Sequence, residues 1–270
     1  MNYGWTTTPE DDSQKLGPAH PAGAPRMKPA EPMPTTEPKR FERRRKAEEK
    51  LVAGVFDRCH AVIREACAWS SVPPEFLGAL TANESGGDPK AARFEPAVYR
   101  HLKAVASGAS PRYGGIRAED LSAEIEEMLH PKSSEYHGRY LTPPFGANHQ
   151  RALAALEEEA LRELATSWGY TQIMGYHMVA RGGTVRELLD PAFHFRMALD
   201  LLAEFAEGYQ LDLGHEFEEM FRCWNTGQPY GKTYDPHYVE RALQRMDIYR
   251  EMAPAFPPRP TGARKDATRS

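Results

Sequence analysis

The sequence predicts a mainly α-helical domain with long loops, on three observations. Between residues 45 and 255, most stretches repeat apolar residues at three- and four-residue spacing, the period of a helix with one buried face. Strand-like and helical runs do not alternate as βαβ units would require, and no internal repeat is visible. Proline or glycine borders several of the periodic stretches, as at Pro73–Pro74, Gly86–Gly87 and Pro236. The chain accordingly divides into a flexible Pro-rich segment over 1–40, a folded domain over 41–256 and a disordered tail over 257–270.

The first helix opens on the charged run KRFERRRKAEEK and becomes amphipathic through Leu51, Val52, Val55, Phe56, Cys59, Val62, Ile63 and Ala66. Its basic run Arg43–Lys46 reads as a solvated helix start, with contact to an anionic polymer as the alternative. In SSVPPEFLGALTANESGG, Ser71 is a candidate cap, and Pro73 and Pro74 suit first positions, where a missing amide costs little. Phe76, Leu77 and Leu80 form the apolar side of this second helix. Glu84 lies seven residues beyond Leu77, almost two turns, so it continues the inward stripe until Gly86 and Gly87 end the helix.

Residues 88–118 read as irregular around the short segment FEPAVYRHL, and AEDLSAEIEEMLH as a short amphipathic helix. The aromatic, Pro-rich stretch 131–149 reads as a long loop of the kind that often binds ligands, and a small hairpin has room in the loop regions. A helix over Gln150–Ser167 uses Leu153, Leu156, Ala160, Leu161 and Leu164, and another follows over Pro191–Gln210. Asp235–Pro236 marks the start of the last helix.

Composition narrows the function. The chain is 40% hydrophobic and 27% charged, values of a globular domain, and its net charge of -4 supplies no global positive field for nucleic acid. Three cysteines, Cys59, Cys67 and Cys223, are too few and odd in number for a disulfide framework, and they read as buried thiols. The N-terminus lacks the basic and apolar regions of a secretory signal, and no apolar run is long enough for a membrane span. HExxH, a phosphate-binding loop ending in Gly-Lys-Ser/Thr, and GxSxG are all missing; HEFEE at 215–219 lacks the second histidine. A Cys223–His237 nucleophile pair is set aside for a core cysteine, and neither metal nor cofactor is expected.

That leaves Glu84. A carboxyl group at the end of a core helix is partly desolvated, which raises its pKa and lets it hold a proton near neutrality. Such a group can protonate a glycosidic oxygen.

Three segments strengthen this reading. ANESGG at 82–87 resembles the catalytic-acid motif of lysozyme-like muramidases and lytic transglycosylases. SWGYTQIMGYH at 167–177 resembles their second signature, and WNTG at 224–227 followed by YDPHYVERAL resembles the third. Over residues 70–250 the chain is most similar to the phage-type N-acetylmuramidase domain of endolysins, in which a Phe-Glu pair, here Phe94–Glu95, follows the acid motif. The resemblance implies a lysozyme-like fold, goose-type or soluble-lytic-transglycosylase-like, and a peptidoglycan glycan strand as substrate.

The same resemblance implies Glu84 as general acid and Glu95 as the candidate second carboxylate. It implies substrate-binding or supporting roles for Ser85, Gly169, Tyr170, Gln172, Tyr176, Trp224, Asn225 and Tyr238. Trp224 stands where Tyr is usual, and Thr226 lengthens the familiar Asn-Gly pair. Ion-pairing to Arg93 or Arg100 is the structural alternative for Glu95, and Asp88 reads as a solvated loop residue. If no second acid takes part, the muramic acid 6-hydroxyl attacks within the substrate and gives a 1,6-anhydro product. Action on chitin, or a non-catalytic wall-binding module, are the other readings. A protein made in the cytoplasm without a signal would reach the wall by holin-type lysis or a non-classical export route. Protein partners are not legible.

Overall fold

The structure, a computed structural model, describes residues 37–129 and 149–253. The expected loop 131–149 except His149, the tail 257–270 and most of segment 1–40 lie outside the described residues. Among the described residues the fold is mainly α-helical with two small antiparallel sheets.

Helix α1 (Glu37–Cys67) begins within the segment expected to be flexible. It buries Val52, Val55, Cys59, Ile63 and Cys67 at helical spacing, and Glu42 to Arg45 are solvated. Helix α2 (Pro74–Glu84) is the centre of the molecule: every residue from Phe76 to Ala82 is buried. A helix that is apolar all round must be enclosed, and α2 packs on α1 and on the last helix. Ser71 does not cap it. Pro73 takes the N-cap position, Pro74 has no amide to satisfy, and Ser70 Oγ instead accepts the Val72 N–H at 3.1 Å.

The stretch expected to be irregular is ordered. Strand β1 (Ala92–Phe94) leads into helix α3 (Pro96–Ala106), and a hairpin of β2 (Arg112–Tyr113) and β3 (Ile116–Arg117) precedes helix α4 (Ala118–Leu129). Pro96 starts α3 directly behind Glu95; Leu102 and Val105 are buried, and Val98 and Tyr99 pack partly buried beside them. Helix α5 (His149–Leu164) stops earlier than expected, because Thr166–Trp168 leave it to form strand β4. β4 pairs antiparallel with β1 on one side and with β5 (Ile173–Met174) on the other. Helices α3, α4 and α5 pack on one another.

Helix α6 (Pro191–Tyr209) is capped by Asp190, whose side chain accepts the Phe193 N–H at 2.8 Å, and it packs on α1. Helix α7 (Phe217–Thr226) sets Phe221 on Phe76, ring centroids 4.2 Å apart. Helix α8 (Tyr238–Met252) starts two residues after Pro236. Asp235 anchors the approach instead, accepting the His237 N–H at 2.9 Å and pairing with Arg241. All three cysteines are buried and none forms a disulfide.

Candidate active site

The C-terminal turn of α2 is fixed from three sides. Gly86 and Gly87 adopt positive φ, which releases the chain from the helix with little strain. Their carbonyls accept from Arg58 of α1 at 2.7 and 3.3 Å. Ser85 Oγ donates to the Tyr170 carbonyl at 2.6 Å, joining the helix end to the turn between β4 and β5. The Gly87 N–H donates back to Ser85 Oγ at 3.1 Å.

Glu84 lies within this frame and meets the first residue of α8: the buried Tyr238 donates its hydroxyl to Glu84 Oε1. Beneath the pair runs a second network. Asn83 Nδ2 donates to the Tyr238 carbonyl at 3.2 Å, and Arg245 donates to Asn83 Oδ1 at 2.6 Å and to the Ala82 carbonyl at 3.1 Å. Arg245 is neutralised by Glu48 of α1 at 2.7 Å. One guanidinium therefore locks α1, α2 and α8 together next to Glu84.

Although part of Glu84 reaches the surface, burial of its carboxyl dominates and raises the pKa from 4.5 to about 7. The Tyr238 hydrogen bond and the Arg93 charge pull the other way and offset only part of that. Tyr238 itself is pushed well above the ordinary tyrosine range, first by burial and then by the neighbouring Glu84, so it stays a neutral donor. Glu84 is thus a carboxyl that exchanges its proton around neutrality beside a donor ready for its charged form.

Arg93 connects Glu84 to the second candidate. It acts on Glu84 through its charge and donates from Nε to Glu95 Oε1 at 2.6 Å. Glu95 occupies the N-cap position of α3, with its N–H donating to the Ala165 carbonyl at 2.9 Å. The ion pair weighed from sequence is therefore present, and its partner is Arg93.

The turn between β4 and β5 holds the other expected residues. Gly169 has φ +69°, and a Cβ there would come within 2.7 Å of the Leu188 carbonyl and 2.8 Å of His194 Nδ1, so close approach requires glycine. Gln172 also has positive φ; its Nε2 donates to the Ala91 and Gly169 carbonyls at 3.1 and 3.0 Å, and its Oε1 accepts from Ser167 at 2.8 Å. Both ends of its amide hold the sheet. Tyr170 packs its ring on Phe195, centroids 5.1 Å apart, and meets the site through its backbone carbonyl. Tyr176 is buried edge-on against Tyr113. Trp224 donates from Nε1 to the Thr171 carbonyl at 3.0 Å, which ties α7 to the same turn, and Asn225 is exposed.

Sequence reasoning missed the supports. His194 is buried under the turn; its Nε2 accepts the Thr171 N–H at 2.9 Å, which puts the proton on Nδ1 facing the Leu188 carbonyl at 2.8 Å. Burial holds its pKa down near 4, so it is a neutral strut. Arg245 had a signal: it lies seven residues after Tyr238, on the same face of α8. Arg58 had none, and Arg93 was legible only as a partner for Glu95, not as a charge acting on Glu84.

Comparison of the chain with protein-family models, curated proteins and solved structures found no match. Among the described residues, no group of three or more His, Cys, Asp or Glu side chains is placed to hold a metal ion. No described helix is long and apolar enough to cross a membrane.

Proposed function

We propose that the chain is a lysozyme-like peptidoglycan muramidase that cleaves the β-1,4 bond between N-acetylmuramic acid and N-acetylglucosamine, with Glu84 as general acid. The observation that carries this reading is the Glu84 carboxyl, raised to about 7 at the end of a core helix and hydrogen-bonded to Tyr238. Protonated Glu84 donates to the glycosidic oxygen as the bond to the leaving sugar breaks and an oxocarbenium-like centre develops. The carboxylate left behind is stabilised by the Tyr238 hydroxyl and by the charge of Arg93. Glu95, held by Arg93, is the second carboxylate of this scheme.

The reading also takes the helical domain as goose-type or soluble-lytic-transglycosylase-like, working on the bacterial wall after release or export from the cytoplasm. A second reading rests on one observation: Arg93 already engages Glu95. With that carboxylate occupied, attack by the muramic acid 6-hydroxyl replaces water and gives a 1,6-anhydro product.

Mass spectrometry of muropeptides from digested peptidoglycan separates these outcomes, with Glu84→Gln as control. Products with a reducing-end muramic acid, lost in the variant, identify a hydrolase. Anhydro products, lost in the variant, identify a lytic transglycosylase. No cleavage of several wall types by the unmodified chain overturns the enzyme reading.

A further inference from the structure

Among the described residues, four large apolar side chains are exposed: Trp69, Phe94, Tyr230 and Tyr234. Trp69 lies in the turn before α2, about 16 Å of helix away from Glu84. Phe94 is partly covered by the Arg162 guanidinium, 4.9 Å from its ring centroid. The two tyrosines stand apart: Tyr230 is 84% exposed and Tyr234 fully exposed, on one loop, 227–237, that runs directly into Tyr238.

This loop is built, not slack. Tyr209 donates to the Gly227 carbonyl at 2.8 Å, and the Gly231 N–H donates to the Gln228 carbonyl at 3.2 Å. Thr233 donates to the Asp235 carbonyl at 2.7 Å, and Asp235 is tied to Arg241. Pro229 is buried. The framework that fixes the loop uses neither tyrosine ring, so the rings contribute little to folding and remain displayed to solvent.

We propose that loop 227–237 is a saccharide-stacking platform, on which Tyr230 and Tyr234 hold pyranose rings of the glycan strand flanking the bond presented to Glu84. The identity of the glycan rests on the function proposed above. Three features favour a sugar polymer over a protein. A stable protein interface covers about 800 Å² per partner around an apolar centre. The residues around the tyrosines are Gly231, Lys232, Thr233, Asp235, Pro236 and His237, which supply no such centre. A tyrosine pairs an apolar face with a polar tip, matching the CH face and hydroxyl rim of a pyranose. Four residues of extended chain separate the two Cα atoms by at most about 14 Å, a reach that a strand of several pyranose rings spans.

The test uses full-length Glu84→Gln, which removes cleavage, with binding measured to insoluble peptidoglycan and to a soluble hexamer of β-1,4-linked N-acetylglucosamine. Adding Tyr230→Ala and Tyr234→Ala is expected to weaken binding to peptidoglycan about tenfold, while Tyr→Phe at both positions retains it. Thermal unfolding should be unchanged by either pair, because both side chains are exposed. Equal peptidoglycan affinity of the alanine pair and its parent overturns the platform, as does failure of the parent to bind either glycan. Tyrosine-dependent binding by a chain whose unmodified form cleaves nothing supports the platform and removes the muramidase reading. Retention of a folded protein partner through the tyrosines, with no glycan binding, also overturns it.

Discussion

Glu84→Gln is expected to stabilise the fold at alkaline pH. Burial raises the Glu84 pKa from an ordinary 4.5 to about 7. Between those values the native chain holds a proton that the unfolded chain has released, so stability falls as pH rises from about 4.5 and is lowest above about 7. At about 1.4 kcal/mol for each tenfold change in proton affinity, the gap corresponds to about 3 kcal/mol at pH 8. Glutamine keeps the shape and still accepts the Tyr238 hydroxyl through its carbonyl oxygen, without a charge to bury. Urea unfolding of both chains at pH 4, 6 and 8 measures the difference. It should be close to zero at pH 4 and grow with pH. Glu124 also titrates near 7, because burial raises it, but it is common to both chains and cancels. A difference that is flat with pH, or a variant less stable than the parent at pH 8, would refute the assignment of Glu84 as a proton-holding carboxyl whatever the chain's activity.

Three further outcomes follow from the same contacts. Tyr238→Phe removes the donor that favours ionised Glu84, so the Glu84 pKa should rise by about one pH unit, read from its carboxyl carbon by NMR or from the alkaline limb of the pH–rate profile. No movement would show that the hydroxyl does not serve the carboxylate. Arg245→Met leaves Glu48, Asn83 Oδ1 and the Ala82 carbonyl without their shared donor and should cost about 3 kcal/mol in urea unfolding. Gly169→Ala puts a methyl group against the Leu188 carbonyl and the His194 ring at a positive φ, and should destabilise by about 2–3 kcal/mol; a neutral result would mean that the turn between β4 and β5 repacks easily.

Periodicity made the large helices legible because each buries a regular stripe. Val52, Val55, Cys59 and Ile63 are buried as their spacing requires, and Phe76, Leu77 and Leu80 lie in the core of α2. It failed where burial is sparse or where tertiary pairing wins. Helix α3 is short, and its stripe of Val98, Tyr99, Leu102 and Val105 is half made of partly buried residues. Thr166–Trp168 continues a helical pattern in sequence but leaves α5 to pair with β1, a strand contributed from more than seventy residues earlier. Asp235–Pro236 has the form of a helix start, yet the acid is drawn off by Arg241 and the helix begins later.

The candidate site divides along the same line. The position of Glu84 on an inward stripe ending at two glycines is local, and the sequence carries it. The surroundings of the carboxyl, whose burial raises its pKa and whose polar partners offset part of that rise, are not local. Tyr238 arrives from 154 residues away, Arg93 from the strand after the turn, and Ser85 is tied to Tyr170 across 85 residues. The same distance explains Gln172. In sequence it is an amide free to meet a sugar; in the fold, Ala91, Gly169 and Ser167 take its hydrogen bonds, and it becomes part of what holds the turn against Ser85. The exposed tyrosines of loop 227–237 are the converse case. Nothing in their spacing marks them, and they become notable only because the hydrogen bonds of the surrounding loop leave both rings exposed. Under the muramidase reading, residues around the acid are therefore mutually bonded and, Arg93 apart, buried or half-buried, whereas residues that meet the polymer are those the fold leaves out. Substitutions in the first group should move stability and the pH dependence together, and substitutions in the second should move affinity alone.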